Sequence, residues 1–331
     1  MSEKLVYNAT PVEGSECEWA NRMADHPARY APETGLKHAI SVALTLEKPL
    51  LVTGEPGTGK TQLAYHLAWA LGLDEPLKFE ATSGMQAKDL FYSYDALGRF
   101  HAAQDKEMAS DALRFVTFQA LGRAIVRSAD SAAALPEGLE ATIVQEPMGQ
   151  RSVVLIDEID KAPRDVPNDL LNQIEHMYFR VAECGGLEVR GNRERRPVLV
   201  FTSNSERFLP DAFLRRCIFY DIPYPSQAQL ETIIQRHLVL AQDRVPVLVR
   251  ECISLIEFLR SPEAGLTRKP GPAELLDWLQ VLVLQGNDLE QPLPPQDEIV
   301  VATACTLIKN RDDQASFDAL IGQWRKARDH C

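Results

Sequence analysis

The chain has 331 residues, 45% of them hydrophobic, which is enough apolar material for one large domain or two ordinary ones. With 35 lysines and arginines against 47 aspartates and glutamates it carries a net charge of −12, which disfavours general binding to nucleic acid or anionic membrane and leaves room only for a local basic channel. The cysteines at 17, 184, 217, 252, 305 and 331 form no CxxC pair, and no apolar run makes a signal core or approaches a membrane span, so a soluble cytoplasmic chain with reduced thiols is expected.

Residues 1–29 are polar, are broken by Pro11, Gly14 and Pro27, and read as an N-terminal arm. A core is expected over 30–225 and a helical domain over 226–331. Tyr30 leads into a helix near 33–47 with Leu36, Ile40, Ala43 and Leu44 on one face, ended by Pro49. That helix runs straight into the next strand, so Tyr30 offers a wall for a nucleotide base; ordinary packing is the alternative. Leu50 to Val52 then reads as a buried strand.

The strand breaks into Gly54-Glu55-Pro56-Gly57-Thr58-Gly59-Lys60-Thr61, followed by a helical pattern of Leu63, Ala64, Leu67, Ala68 and Leu71. This is a complete GxxxxGK[ST] phosphate loop in the strand–turn–helix setting that it requires. The glycines let backbone N–H groups turn toward a phosphate, and the helix N-terminus adds its positive dipole end. Lys60 can reach the β- and γ-phosphates, and the Thr61 hydroxyl can ligate Mg²⁺.

Leu77 to Ala81 is the next expected strand, 82–104 a loop with a short helix, Phe115 to Val126 a helix and 132–150 a connector. Val153 to Ile156 is apolar throughout, as a central parallel strand would be, and ends in Asp157-Glu158. At the carboxyl end of such a strand, Asp157 would hold Mg²⁺ through water and Glu158 would polarise the attacking water. A helix is expected over 166–177, then a hairpin of 179–182 and 187–190 with the basic tip 190–196. Pro197 to Phe201 is another buried strand, ending in Thr202-Ser203-Asn204, where Asn204 can bond the γ-phosphate or the attacking water. A short helix over 209–217 and a last strand, 218–222, precede helices near 226–240, 246–260, 271–284, 295–309 and 313–327.

That order of motifs resembles the AAA+ ATPases and, within them, the MoxR-like group, over about Tyr30 to Leu284. Gly54 to Thr61 stands as Walker A, Val153 to Asp160 as Walker B and Thr202-Ser203-Asn204 as sensor 1. Leu209 to Arg216 looks like the arginine-finger helix, with Arg216 at the finger position; Arg215 departs from the acid or polar residue usual before it. Residues 268–278 are similar to the start of the sensor 2 helix, but the arginine common just inside it is missing. Lys269 is the first candidate for that phosphate-facing cation and Arg268 the second.

The resemblance implies an α/β fold, a doubly wound αβα sandwich on a parallel sheet with an inserted β-hairpin and an all-α lid. It implies ATP and Mg²⁺ as cofactors, with Gly54, Glu55, Pro56, Gly57, Thr58, Gly59, Lys60, Thr61, Asp157 and Lys269 around the nucleotide and Thr61 and Asp157 at the metal. Glu158, Asn204, Arg216 and Lys60 would be catalytic. It further implies a homo-oligomeric ring, a hexamer, that remodels a protein partner, such as one with a von Willebrand factor A domain. Two other classes stay open: a nucleic-acid-associated NTPase motor, which the net charge disfavours, and a nucleotide-binding switch with little turnover, which Asp157, Glu158 and Asn204 oppose.

Overall fold

A computed structural model describes residues 7–11, 17–23, 25–102, 112–139, 146–204, 209–239, 244–293 and 297–329. Parts of the expected arm (1–6, 12–16, 24), loop (103–104), connector (140–145) and helices (240, 295–296), and Cys331, lie outside the described residues. The chain divides into two compact units. One is Met1–Ala28, Pro32–Gly54 and Lys60–Ile222; the other is Arg29–Ala31, Glu55–Gly59 and Pro223–Cys331.

The first unit is built on five parallel strands: β1 (Leu50–Gly54), β2 (Leu77–Glu80), β5 (Val153–Asp157), β8 (Val198–Thr202) and β9 (Ile218–Ile222), in the order β2-β5-β8-β1-β9. Residues 50–52, 153–156 and 199–201 are buried, as expected of inner strands covered on both faces. Register aligns the strand ends: Val52 lies opposite Thr202, and Glu80 opposite Asp157. Because the strands are parallel, Gly54, Asp157 and Thr202 all finish at one edge of the sheet. The helices α2 (Thr34–Leu46), α3 (Lys60–Ala70), α5 (Ala120–Ser128) and α6 (Val166–His176) flank it, after the short α1 (Glu18–Asn21). The expected parallel sheet with flanking helices is what forms.

Two hairpins extend this unit. β6 (Tyr178–Val181) and β7 (Leu187–Arg190) pair antiparallel, as the turn residues Gly185 and Gly186 lead one to expect. β3 (Tyr92–Tyr94) and β4 (Val116–Phe118) also pair, on either side of α4 (Ala96–Ala102). Here the expected loop and the expected helix from Phe115 both give way. Val116, Thr117 and Phe118 alternate buried, exposed, buried, and Phe118 packs at 5.6 Å on Phe179. The helix starts only at Ala120. The arm also carries packed residues that its polarity hid. Tyr7 and Trp19 are buried; the Tyr7 hydroxyl lies 2.9 Å from His66 Nε2, and Trp19 Nε1 donates to Leu73 O at 3.1 Å.

A short helix, α7 (Asp211–Leu214), precedes β9 in the first unit. The second unit is helical: α8 (Gln227–His237), α9 (Val247–Arg260), α10 (Pro272–Leu284), α11 (Asp297–Ala302), α12 (Ala304–Leu307) and α13 (Arg311–Asp329). Its core gathers Leu248, Ile253, Ile256, Trp278, Leu279, Phe317 and Ile321. The helix expected over 295–309 is broken at Thr303. That hydroxyl donates to Ile299 O at 2.7 Å and accepts from the buried Trp278 Nε1 at 2.8 Å, a local competitor for the helical hydrogen-bond ladder.

Candidate functional site

In the first unit, Asp157 is the hub of the shared strand edge. Thr61, in the first turn of α3, donates to its Oδ1 at 3.1 Å and lies 3.2 Å from Oδ2; Thr202 donates to Oδ1 at 2.5 Å, and Lys78 Nζ is 3.0 Å from Oδ2. Burial pushes this carboxyl up, but the hydrogen bonds from Thr202 and Lys78, with the Lys78 charge, override it and hold the group below the usual carboxylate value. Lys60 is buried and donates to Gly54 O at 2.8 Å. Burial pulls its ammonium down, against Asp157, Asp160, Glu158 and Asp221, which raise it.

Glu158 follows in the left-handed region, at φ 57 and ψ 47. A non-glycine residue there costs on the order of 1–3 kcal/mol and persists only where its surroundings fix it. Here the fixing bond runs from Glu158 N to Thr202 Oγ1, at 3.0 Å. The side chain is thereby turned toward Lys161, its ion-pair partner, and Asn204, whose Nδ2 donates to Oε1 at 3.3 Å. Asn204 N also donates to Asp160 Oδ1 at 3.3 Å. Thus the fold brings together Lys60, Thr61, Asp157, Glu158 and Asn204, from three separate stretches of sequence. The Thr61 hydroxyl and the Asp157 carboxylate form an oxygen donor pair of the kind that Mg²⁺ prefers. They would hold the ion, which when bound supplies neutralising charge to polyphosphate. Arg216 is exposed in the turn between α7 and β9, where its backbone N–H donates to Phe213 O at 3.0 Å.

The second unit contains the middle of the phosphate loop. Gly57 (φ 81) and Gly59 (φ 84) take left-handed backbone. A Cβ on Gly59 would stand 2.9 Å from Tyr30 Cε2, and one on Gly57 3.1 Å from the Ala273 Cβ. The Tyr30 ring therefore lies against the loop, and its carbonyl accepts from Arg236 Nη1 at 2.9 Å. Thr58 Oγ1 donates to Glu55 O at 2.8 Å, closing the loop on itself. Arg268 and Lys269 are exposed, with Arg268 4.0 Å from Glu274. Among the described residues Lys269 has no hydrogen-bond or ion-pair partner. The cation that meets the loop is Arg260, at 2.8 Å from Glu55 Oε2.

Sequence reasoning missed Lys78 and Arg260. Lys78 had a faint signal, a lysine within a short strand, but its pairing with Asp157 depends on β2 lying beside β5. Arg260 ends an amphipathic helix, where a basic residue is unremarkable.

A family model for an AAA domain of the dynein-related subfamily matches residues 49–217. This chain belongs to that AAA family. The matched stretch runs from the residue before β1 to the one before β9, so the AAA domain takes in every residue of the Asp157 cluster. No curated protein matches the chain. Among solved structures it is similar to a point mutant of Thermotoga maritima RuvB, at 17% identity and a TM-score of 0.45, over 86% of this chain and 72% of that one. It is also similar to the Thermotoga maritima RuvB Holliday junction branch migration motor, at 15% identity and a TM-score of 0.38, over 82% and 76% of the two chains. The AAA family as a class hydrolyses nucleotide, and its fold here has the parallel sheet that the motifs led us to expect. Among the described residues no helix is long and apolar enough to cross a membrane.

Proposed function

We propose that this AAA domain is a MoxR-like Mg-ATPase that remodels or activates a protein partner, acting in the cytoplasm as a homo-oligomeric ring, a hexamer. The observation that carries the reading is the Asp157 cluster. Thr61 and Asp157 would hold Mg²⁺, Lys60 would neutralise the β- and γ-phosphates, and Glu158 beside Asn204 would orient the attacking water. A passive switch has no need for that catalytic pair.

A protein partner fits better than nucleic acid. The net charge is −12, and the basic stretch 190–196, expected at the hairpin tip, instead follows β7 at the base of the hairpin, where Gly191 N donates to Met177 O at 2.9 Å, and its arginines are engaged within the chain. Arg195 pairs with Asp130, Arg196 donates to Glu175 O at 2.7 Å, and Arg180 and Arg190 both pair with Glu188. A partner with a von Willebrand factor A domain is the candidate that the MoxR resemblance suggests. In a ring, the exposed Arg216 would reach the neighbouring subunit's γ-phosphate, a role worth roughly 10³–10⁵ in rate in well-studied cases.

The test is ATP turnover by Arg216→Ala, by Lys60→Ala and by their mixture, with and without duplex DNA. Each variant alone should be inactive, and the mixture should recover activity, because a Lys60→Ala subunit lends its arginine to an intact site. Full activity of Arg216→Ala in a monomeric preparation would overturn the ring. Stimulation by DNA that falls steeply with salt would overturn the protein-partner reading.

A further inference from the structure

Glu55 places a carboxylate inside the phosphate loop. Such a loop holds polyphosphate with backbone N–H groups and positive charge, so an acid at that position opposes the ligand. Arg260, the last residue of α9, meets it with two hydrogen bonds: Nη2 lies 3.0 Å from Glu55 Oε1 and 2.8 Å from Oε2. The same guanidinium sits 3.5 Å from the centroid of the Tyr224 ring and donates through Nη1 to Pro270 O at 2.8 Å. The Arg260 side chain is only 13% exposed, whereas that of Glu55 is 51% exposed. The arginine is thus built into the helical unit by stacking and by a backbone carbonyl, and the loop acid is fastened to it.

A second close approach backs the first. Gly271 caps α10, its N–H donating to Glu274 Oε2 at 3.1 Å, and a Cβ on Gly271 would stand 2.9 Å from Pro56 O. The neighbouring loop residue is therefore seated against the α10 cap.

We infer that Arg260 is a positioning residue for nucleotide binding, which neutralises Glu55 and holds loop 55–59 in shape for polyphosphate. The inference rests on the ATPase reading above. It differs from the sensor role considered for Lys269 and Arg268, because Arg260 acts on the loop and not on the phosphate.

The mechanism has a signature that simple support of the fold lacks. Arg260→Gln removes the cation that is hydrogen-bonded to Glu55 and so strengthens the acid's repulsion of the ligand; a charge a few ångströms to a nanometre away at an intermediate dielectric is worth roughly tenfold or more in affinity. Removing that charge as well should cure the defect. Fluorescent-ATP titration is therefore expected to show Arg260→Gln weakened about tenfold, with the deficit shrinking as salt rises. Glu55→Gln should bind at least as tightly as the parent, and the double variant should return to within about threefold of it. In turnover, Arg260→Gln should raise KM more than it lowers kcat. Because the substitution also uncovers the Tyr224 ring, Arg260→Lys is measured in parallel. It keeps the charge without the paired hydrogen bonds and should fall between the parent and Arg260→Gln.

Parent-like binding by Arg260→Gln, or a double variant as weak as Arg260→Gln, would overturn the inference while leaving the ATPase reading in place. ATP binding that survives Lys60→Ala would overturn both.

Discussion

At Asp157 one carboxylate serves Thr61, Thr202 and Lys78 at once. Charge-assisted bonds of this kind are worth about 1.5–3 kcal/mol together with the cost of leaving a partner unpaired. The folded carboxyl titrates below its ordinary value, so the stability that it contributes is present above the unfolded value, near pH 4, and is lost as pH falls through the folded one. Asp157→Asn should therefore melt below the parent at pH 7, and the gap should narrow as the pH drops below about 4. Thermal melts across that range check it; a gap that stays constant would mean that the Lys78 pair contributes nothing. The acid itself was legible in the sequence because four apolar residues lead straight into it. Its lysine was not, since adjacency of β2 and β5 is a property of the sheet and not of either strand alone.

Between elements, tolerances are tighter than the motifs suggest. Helix α5 packs so closely on the segment before β3 that a Cβ on Gly122 would come within 1.9 Å of Phe91 O. Backbone cannot move aside as a flexible side chain can, so Gly122→Ala should cost about 1–3 kcal/mol. Gly84→Ala, where a Cβ meets nothing within 4 Å, should stay within about 0.5 kcal/mol of the parent. Denaturant midpoints of the two variants decide this, and equal midpoints would contradict the packing described. The inner strands and the long helices of the second unit could be read from the sequence because burial on one or both faces writes a clear pattern. β3 and β4 are three residues each, too short for such a pattern, and they hold their place by packing around Phe179, on which Phe91 and Tyr92 stack and Phe118 sits edge-on. The same limit hid α1, whose buried Trp19 sits in an otherwise polar stretch.

On the scale of the whole molecule, one contiguous phosphate loop is divided between two compact units. Gly54 and Lys60 belong with the sheet, and Glu55 to Gly59 with the helices. The loop motif was fully legible in the sequence; that its middle is fastened by Arg260 was not, because Arg260 lies 205 positions after Glu55 in the chain. The chemistry proposed for the cluster makes binding and turnover separable, since Lys60 would serve the phosphates and Glu158 the water. The most direct measurement is ATP binding and Mg-ATP hydrolysis by the parent and by Glu158→Gln on matched preparations. The amide preserves the size of the side chain and leaves the phosphate loop intact, so Glu158→Gln should bind ATP within about threefold of the parent and lose at least roughly a hundredfold in turnover, the range of general-base catalysis. Hydrolysis by Glu158→Gln at the parent rate would contradict the account.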